Sequence, residues 1–184
     1  MMTFYSVSTP KSQYGSWDVG RGFVMWNWLN QATQMGAHLG IVNGIQLWDL
    51  VPLLRHQEAI DRIRTSIELS NPDPACTCYH VTGAGIQFPD NSLRIPDISI
   101  FSKRPVEENG LVVDVPSAVI EVISPGYEAK DLEFGPPFYM SRGVQDVIVF
   151  DPHTSRLVHL HHGQVERLVS PAAIQLECGC RCVI

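Results

Sequence analysis

Two short apolar runs, each interrupted by one acid, organise the hydrophobic pattern of this chain. They are Leu93-Arg94-Ile95-Pro96-Asp97-Ile98-Ser99-Ile100-Phe101 and Ser117-Ala118-Val119-Ile120-Glu121-Val122-Ile123-Ser124. Runs of this length, rich in β-branched residues, predict buried strands. Val144–Phe150 is a third such run, ending in Asp151-Pro152. Upstream, Phe23, Trp26, Trp28-Leu29, Ala32 and Met35 recur at helical spacing, with Asp18 and Gly36 as candidate caps. Residues 38–48 read as a hairpin around Asn43-Gly44. A second helix is predicted from Pro52, with Leu53-Leu54, Ile60, Ile63 and Ile67 as its apolar stripe and Asn71-Pro72-Asp73-Pro74 as its stop. Tyr79–Val81 and Gly85–Phe88 are strand-like, and Pro89-Asp90-Asn91-Ser92 turns into the Asp97 run. Ser102–Asn109 reads as a charged loop that Leu111–Val115 either finishes or follows as a short strand. The stretch 127–143 is helical towards its end. Arg156–Leu160 and Gln164–Val169 flank His161-His162-Gly163 as a C-terminal hairpin.

With 184 residues the chain suits a single domain, 1–184. Its composition, 45% hydrophobic and 17% charged, is that of a soluble globular protein. The apolar stretches are strand-sized, so no membrane span is expected, and the first residues lack a secretory pattern. A cytoplasmic location is the expectation. The net charge of −6 argues against indiscriminate binding to nucleic acid, because phosphate contacts need Lys and Arg, but leaves room for a local basic groove. Arg94, Lys103, Arg104, Lys130 and Arg142 could line such a groove or serve solubility.

A carboxylate within a buried strand is costly unless it is paired or binds a cation. Asp97 and Glu121, on consecutive strands, therefore suggest a divalent-metal site. Other candidates carry less. Cys76-Thr77-Cys78 and Cys178-Gly179-Cys180-Arg181-Cys182 could hold zinc or pair with each other, although reduced, partly buried thiols are the plainer expectation. His153, His159, His161 and His162 read as solvent-exposed rather than as a closed ligand set. Near the start of the second helix, His56 and Glu58 read as surface positions, though an acid there could reach a neighbouring sheet. Ser124 lacks a nucleophile elbow, and no phosphate-cradling loop or dinucleotide fingerprint is present.

The order of helix, strands, Asp-bearing strand, Glu-bearing strand, helix, strand and hairpin adds weight to three phrases. These are Ile-Pro-Asp-Ile-Ser-Ile, Val-Ile-Glu-Val-Ile-Ser-Pro and Tyr-x-x-x-Gly-Val-x-Asp-Val-x-Val-Phe-Asp-Pro. Together they resemble the PD-(D/E)XK nuclease superfamily, specifically its Uma-two group of restriction-endonuclease-like proteins, over about residues 44–169. The resemblance implies an α/β (α+β) fold: a restriction-endonuclease-like core whose central mixed β-sheet is flanked by helices, with a C-terminal hairpin. Residues 1–43 (arm, helix and start of a hairpin) and the Cys-rich tail 170–184 fall outside it. It implies a DNA endonuclease with magnesium or manganese held by Asp97, Glu121 and the Val122 carbonyl. Asp131, Tyr139 and Glu58 would support these ligands.

The superfamily lysine, two residues after the glutamate, is Ile123 here. The group's alternative pattern, Asp-x-x-x-Lys-x-x-x-Tyr, fits Asp131 and Tyr139 but places Gly135 at the lysine position, before Pro136-Pro137. Lys130 is the nearby lysine that could stabilise charge from a different backbone position. Without it, the same fold would serve as a binding or assembly module that no longer cuts. Cleavage of both strands would call for a homodimer, for which no coiled-coil pattern is present.

Overall fold

A computed structural model describes residues 37–42, 45–50, 53–70, 76–124 and 135–184. In chain order these form β1 (Ala37–Val42), β2 (Ile45–Leu50), α1 (Leu54–Thr65), β3 (Glu68–Leu69), β4 (Tyr79–Thr82), β5 (Ile86–Gln87), β6 (Leu93–Arg94) and β7 (Ile98–Phe101). There follow β8 (Glu107–Glu108), β9 (Leu111–Val112), β10 (Ala118–Val122), α2 (Gly135–Met140), β11 (Asp146–Asp151), β12 (Arg156–His161), β13 (Gln164–Val169), β14 (Ala173–Gln175) and β15 (Cys180–Val183). The helix expected over 17–35, Lys130 and Asp131 lie outside the described residues.

The central sheet has the order β13-β12-β11-β10-β7-β4. Its β10–β11 pair is parallel and its other pairs are antiparallel, so the sheet is mixed. Alternation along β10 divides two cores. Ala118, Ile120 and Val122 join Ala59, Ile60 and Ile63 of α1 on one face, while Val119 joins Phe138 and Tyr139 of α2 on the other. The predicted strands at 117–124 and 144–150 and the C-terminal hairpin are all present. The hairpin at 38–48 is present as well, with Val42 opposite Ile45 across the two-residue Asn43-Gly44 connection.

The run 93–101 is not one strand. It breaks at Ile95–Asp97 into β6, which pairs with β1 and β5, and β7, which pairs with β10 and β4. Pro96, having no N–H, cannot continue a central ladder. Its carbonyl and that of Asp97 instead accept from Gly83 N, each at 3.3 Å, where Gly83 turns with φ +60°. Asp97 thus stands one residue before its strand, at the sheet's end.

The stripe of α1 also differs from the expected one. Its buried positions are His56, Ala59, Ile60 and Ile63, continued by Ile67, whereas Leu53 and Leu54 are 61% and 74% exposed. The first buried side chain of the helix is a histidine. Full burial of Ile63 contributes about 1.5–3 kcal/mol.

The tail is not an appendage. β14, β15 and β3 form a third sheet, and Ile174, Leu176, Cys180, Cys182 and Ile184 complete the α1-side core. The thiols expected to stay reduced are joined in one case, by a Cys78–Cys180 disulfide. The histidines expected at the surface divide. His153 and His162 are exposed, but His159 is 3% exposed, with its Nε2 2.8 Å from the fully buried Asp146.

Asp90 in the turn before β6 is bound by Arg142, just after α2, whose guanidinium also lies 3.9 Å from the Phe138 ring centroid. Burial works to raise the Asp90 carboxyl, but Arg142 and the Ser92 N–H and O–H outweigh it and hold the carboxyl below its ordinary 3.8. A depressed folded-state value means that this contribution is full above 3.8 and fades as pH falls through the folded value. The pair is partly exposed, so acid titration of stability should separate wild type from Asp90→Asn by less than about 1 kcal/mol, with the gap closing below that pH.

Candidate metal and active site

The two acids converge. In the β7–β10 ladder Ile98 pairs with Ile120, so one step further sets Asp97 opposite Glu121, on the same side of the sheet. The peptide N–H of Asp97 donates to Glu121 Oε2 at 3.2 Å, and the N–H of Val122 donates to Asp97 Oδ2 at 2.7 Å. Each carboxylate therefore caps the other's backbone where the ladder stops. A strand residue's N–H and C=O point to the same lateral side. The Val122 carbonyl accordingly looks toward Asp97, while the next N–H, that of Ile123, bonds the opposite neighbour at Phe150.

Different elements hold the outer side of each acid. From α1, His56 brings Nε2 to 3.2 Å from Asp97 Oδ2. From α2, the hydroxyl of the fully buried Tyr139 donates to Glu121 Oε1 at 2.6 Å. Burial, and then the Glu121 charge, push the Tyr139 phenol well above its ordinary range, so it remains a donor. Arg94, at the end of β6, lies against the faces of Phe138 and Tyr139. Its Nε donates to the Tyr139 oxygen at 3.3 Å and a terminal nitrogen stands 3.9 Å from Glu121 Oε1. That cation offsets the cost of burying the Glu121 carboxylate.

The donor set suits a hard divalent cation. Asp97 Oδ1 makes no hydrogen bond among the described residues, and its side chain, 23% exposed, opens on a cleft lined by Gln57, Thr82, Gly83 and Pro96. Asp97 Oδ1 thus faces this cleft. Tyr139→Phe, which removes a buried hydroxyl bonded to a carboxylate, should lower stability by about 2 kcal/mol in urea unfolding.

Of the sequence candidates, the fold brings together Asp97, Glu121, Val122 and Tyr139. Glu58 stands elsewhere, exposed beside Arg55, Arg62 and Pro152. On a helix, residues two apart face different sides, so it is His56 that reaches the sheet's end. Sequence reading missed His56 and Arg94 as site residues. For His56, the signal was its i, i+4 relation to Ile60. Nor do the candidate basic residues form one path. Arg94 is buried at the acids, Arg142 is bound to Asp90, and Lys103 and Arg104 are exposed at the other end of β7.

No helix among the described residues is long and apolar enough to cross a membrane. No curated protein matches the sequence. Among solved structures, the fold is similar to that of a putative nuclease belonging to DUF820 from Anabaena variabilis, with a TM-score of 0.58 and 20% sequence identity, covering 74% of this chain and 80% of that one. This likeness supports the restriction-endonuclease-like fold. The family model described as "Uma2: Putative restriction endonuclease" matches residues 34–177. That span includes every strand and side chain of the site just described, and the chain belongs to the Uma2 family.

Proposed function

We propose that the protein is a magnesium- or manganese-dependent endonuclease that hydrolyses DNA phosphodiester bonds. The observation that carries this reading is the mutual capping of Asp97 and Glu121 at the open end of the central sheet. In this reading Asp97, Glu121 and the Val122 carbonyl hold the ion. When bound, such an ion lowers the pKa of a coordinated water and offsets charge on the phosphate. The chain's own residues set the ligands in place. His56 and the Val122 N–H occupy Asp97 Oδ2 and leave Oδ1 for the cation. Tyr139 and the Asp97 N–H fix both oxygens of Glu121. Lys130 is proposed to stabilise charge at the scissile phosphate, with Asp131 supporting it, and two copies would cut two strands.

The test is incubation of the protein with supercoiled plasmid and with single-stranded DNA, in magnesium, manganese or chelator. Metal-dependent nicking that Asp97→Ala abolishes is the expected result, and equal nicking by the variant would refute the assignment. A second reading, a nuclease fold kept for binding or assembly, is favoured by one observation. The position of the helix lysine is Gly135, buried at the start of α2 with Pro136 and Pro137 behind it. Nicking and manganese calorimetry together separate the two. A protein that lost cleavage for want of the lysine keeps Asp97 and Glu121 and should take up manganese yet nick DNA with neither metal, whereas one that lost its ligands should give no more heat than Asp97→Ala.

A further inference from the structure

Both cysteine clusters, far apart in sequence, meet on the α1 side of the central sheet. Cys78 is bonded to Cys180, and the Cys76 sulfur lies 3.6 Å from that of Cys180 and 3.8 Å from that of Cys78. All three are buried, and Cys178 packs against the same cluster. Two short turns present them. In Cys76-Thr77-Cys78, the N–H of Cys78 donates to the Cys76 sulfur at 3.4 Å, with Cys78 at φ 45°. In Cys178-Gly179-Cys180, the chain turns at Gly179, with φ 84°. An N–H aimed at sulfur favours the thiolate over the thiol, and metal-bound ligands are commonly oriented by such outer hydrogen bonds. With a zinc–sulfur bond of about 2.3 Å, the corners of a tetrahedral site lie about 3.8 Å apart. Cys76 keeps nearly that spacing to both neighbours.

We propose that the reduced chain holds a zinc ion between these two turns, with Cys76, Cys78, Cys178 and Cys180 as its ligands. A dithiol reductant opens the Cys78–Cys180 bond, supplying two electrons and two protons and becoming a disulfide itself. The four thiols then give their protons to solvent as the sulfurs bind the ion. Three sulfurs already lie within 4.8 Å of one another. Cys178 completes the set by rotating its side chain. Cys182 remains a core thiol. The ion would fasten the segment before β4 to the tail sheet. The site lies at the opposite end of β4 and β7 from Asp97, so its test is independent of the nuclease reading.

The experiment titrates the reduced full-length protein with cobalt, reads the sulfur-to-cobalt charge-transfer absorption, and then displaces cobalt with zinc. Stoichiometric uptake with a thiolate band is expected, weakened in Cys76→Ser and Cys178→Ser and unchanged in Cys182→Ser. Should the variants fail to fold, the wild type still decides, because zinc should raise the melting temperature of the reduced protein well beyond its effect on the oxidised protein, which keeps only the proposed Asp97 and Glu121 site. Reduced wild type that gives no thiolate band with cobalt and gains no more from zinc in melting than the oxidised protein would overturn the proposal. So would loss of the band in Cys182→Ser with retention in Cys178→Ser.

Discussion

Glu121→Ala is expected to lose DNA cleavage and about 3 kcal/mol of folding stability together, whereas Asp97→Ala loses cleavage at much smaller structural cost. The difference follows from burial and partners. Glu121 is 6% exposed, accepts from the Tyr139 hydroxyl and the Asp97 N–H, and stands beside Arg94, itself 5% exposed. Truncation leaves the Tyr139 hydroxyl and the Asp97 N–H without their carboxylate acceptor and takes away the anion beside Arg94, and loss of one partner from a buried charged network costs several kcal/mol. Asp97 is 23% exposed, and water can replace it at the Val122 N–H and at His56. Under the proposed function the two are equivalent for cleavage, since loss of either proposed metal ligand should remove several kcal/mol of transition-state stabilisation, at least about a hundredfold in rate. Urea unfolding and plasmid nicking on both variants check the pattern. Equal stability loss in the two would contradict the burial argument, and retained nicking in either would remove that acid from the mechanism.

The acids were legible because a single carboxylate in a β-branched run leaves few uses for it. The strands of the central sheet were legible for the same reason, as short apolar segments with turn residues between them. The break at Pro96 was visible too, since proline cannot serve a central ladder, yet the run 93–101 read as one strand because its hydrophobicity is continuous. The same rule that found Asn43-Gly44 applies at Asn109-Gly110, where both residues have positive φ and join β8 to β9. Flanking charges at Glu107 and Glu108 hid that hairpin inside a loop. Arg94 and the tail were not legible, and His56 only through its helical spacing to Ile60. Each is polar or cysteine-rich locally, and each is buried only because a distant segment covers it. Such placement is a property of tertiary packing, which local pattern does not encode.

Asp146→Ala is the substitution expected to detach that tail. Asp146 is fully buried at the start of β11. Its Oδ1 lies 2.8 Å from His159 Nε2 on β12, and its Oδ2 accepts from the N–H of Glu177 at 2.9 Å. One carboxylate therefore ties the central sheet to the segment between β14 and β15, directly after Leu176, which is 2% exposed. Alanine leaves a buried imidazole and a peptide N–H without acceptors, and the expected loss is about 3 kcal/mol. Asparagine keeps the shape and one acceptor, but turns its amide hydrogens toward the other donor, so it should cost less, about 1–2 kcal/mol. Urea unfolding at constant m-value measures both. Hydrogen exchange should show where the loss falls, with faster exchange in Asp146→Ala at the Glu177 N–H and across β14 and β15 than in β10. Uniform acceleration throughout the central sheet would mean that the carboxylate supports the whole core rather than the junction with its tail.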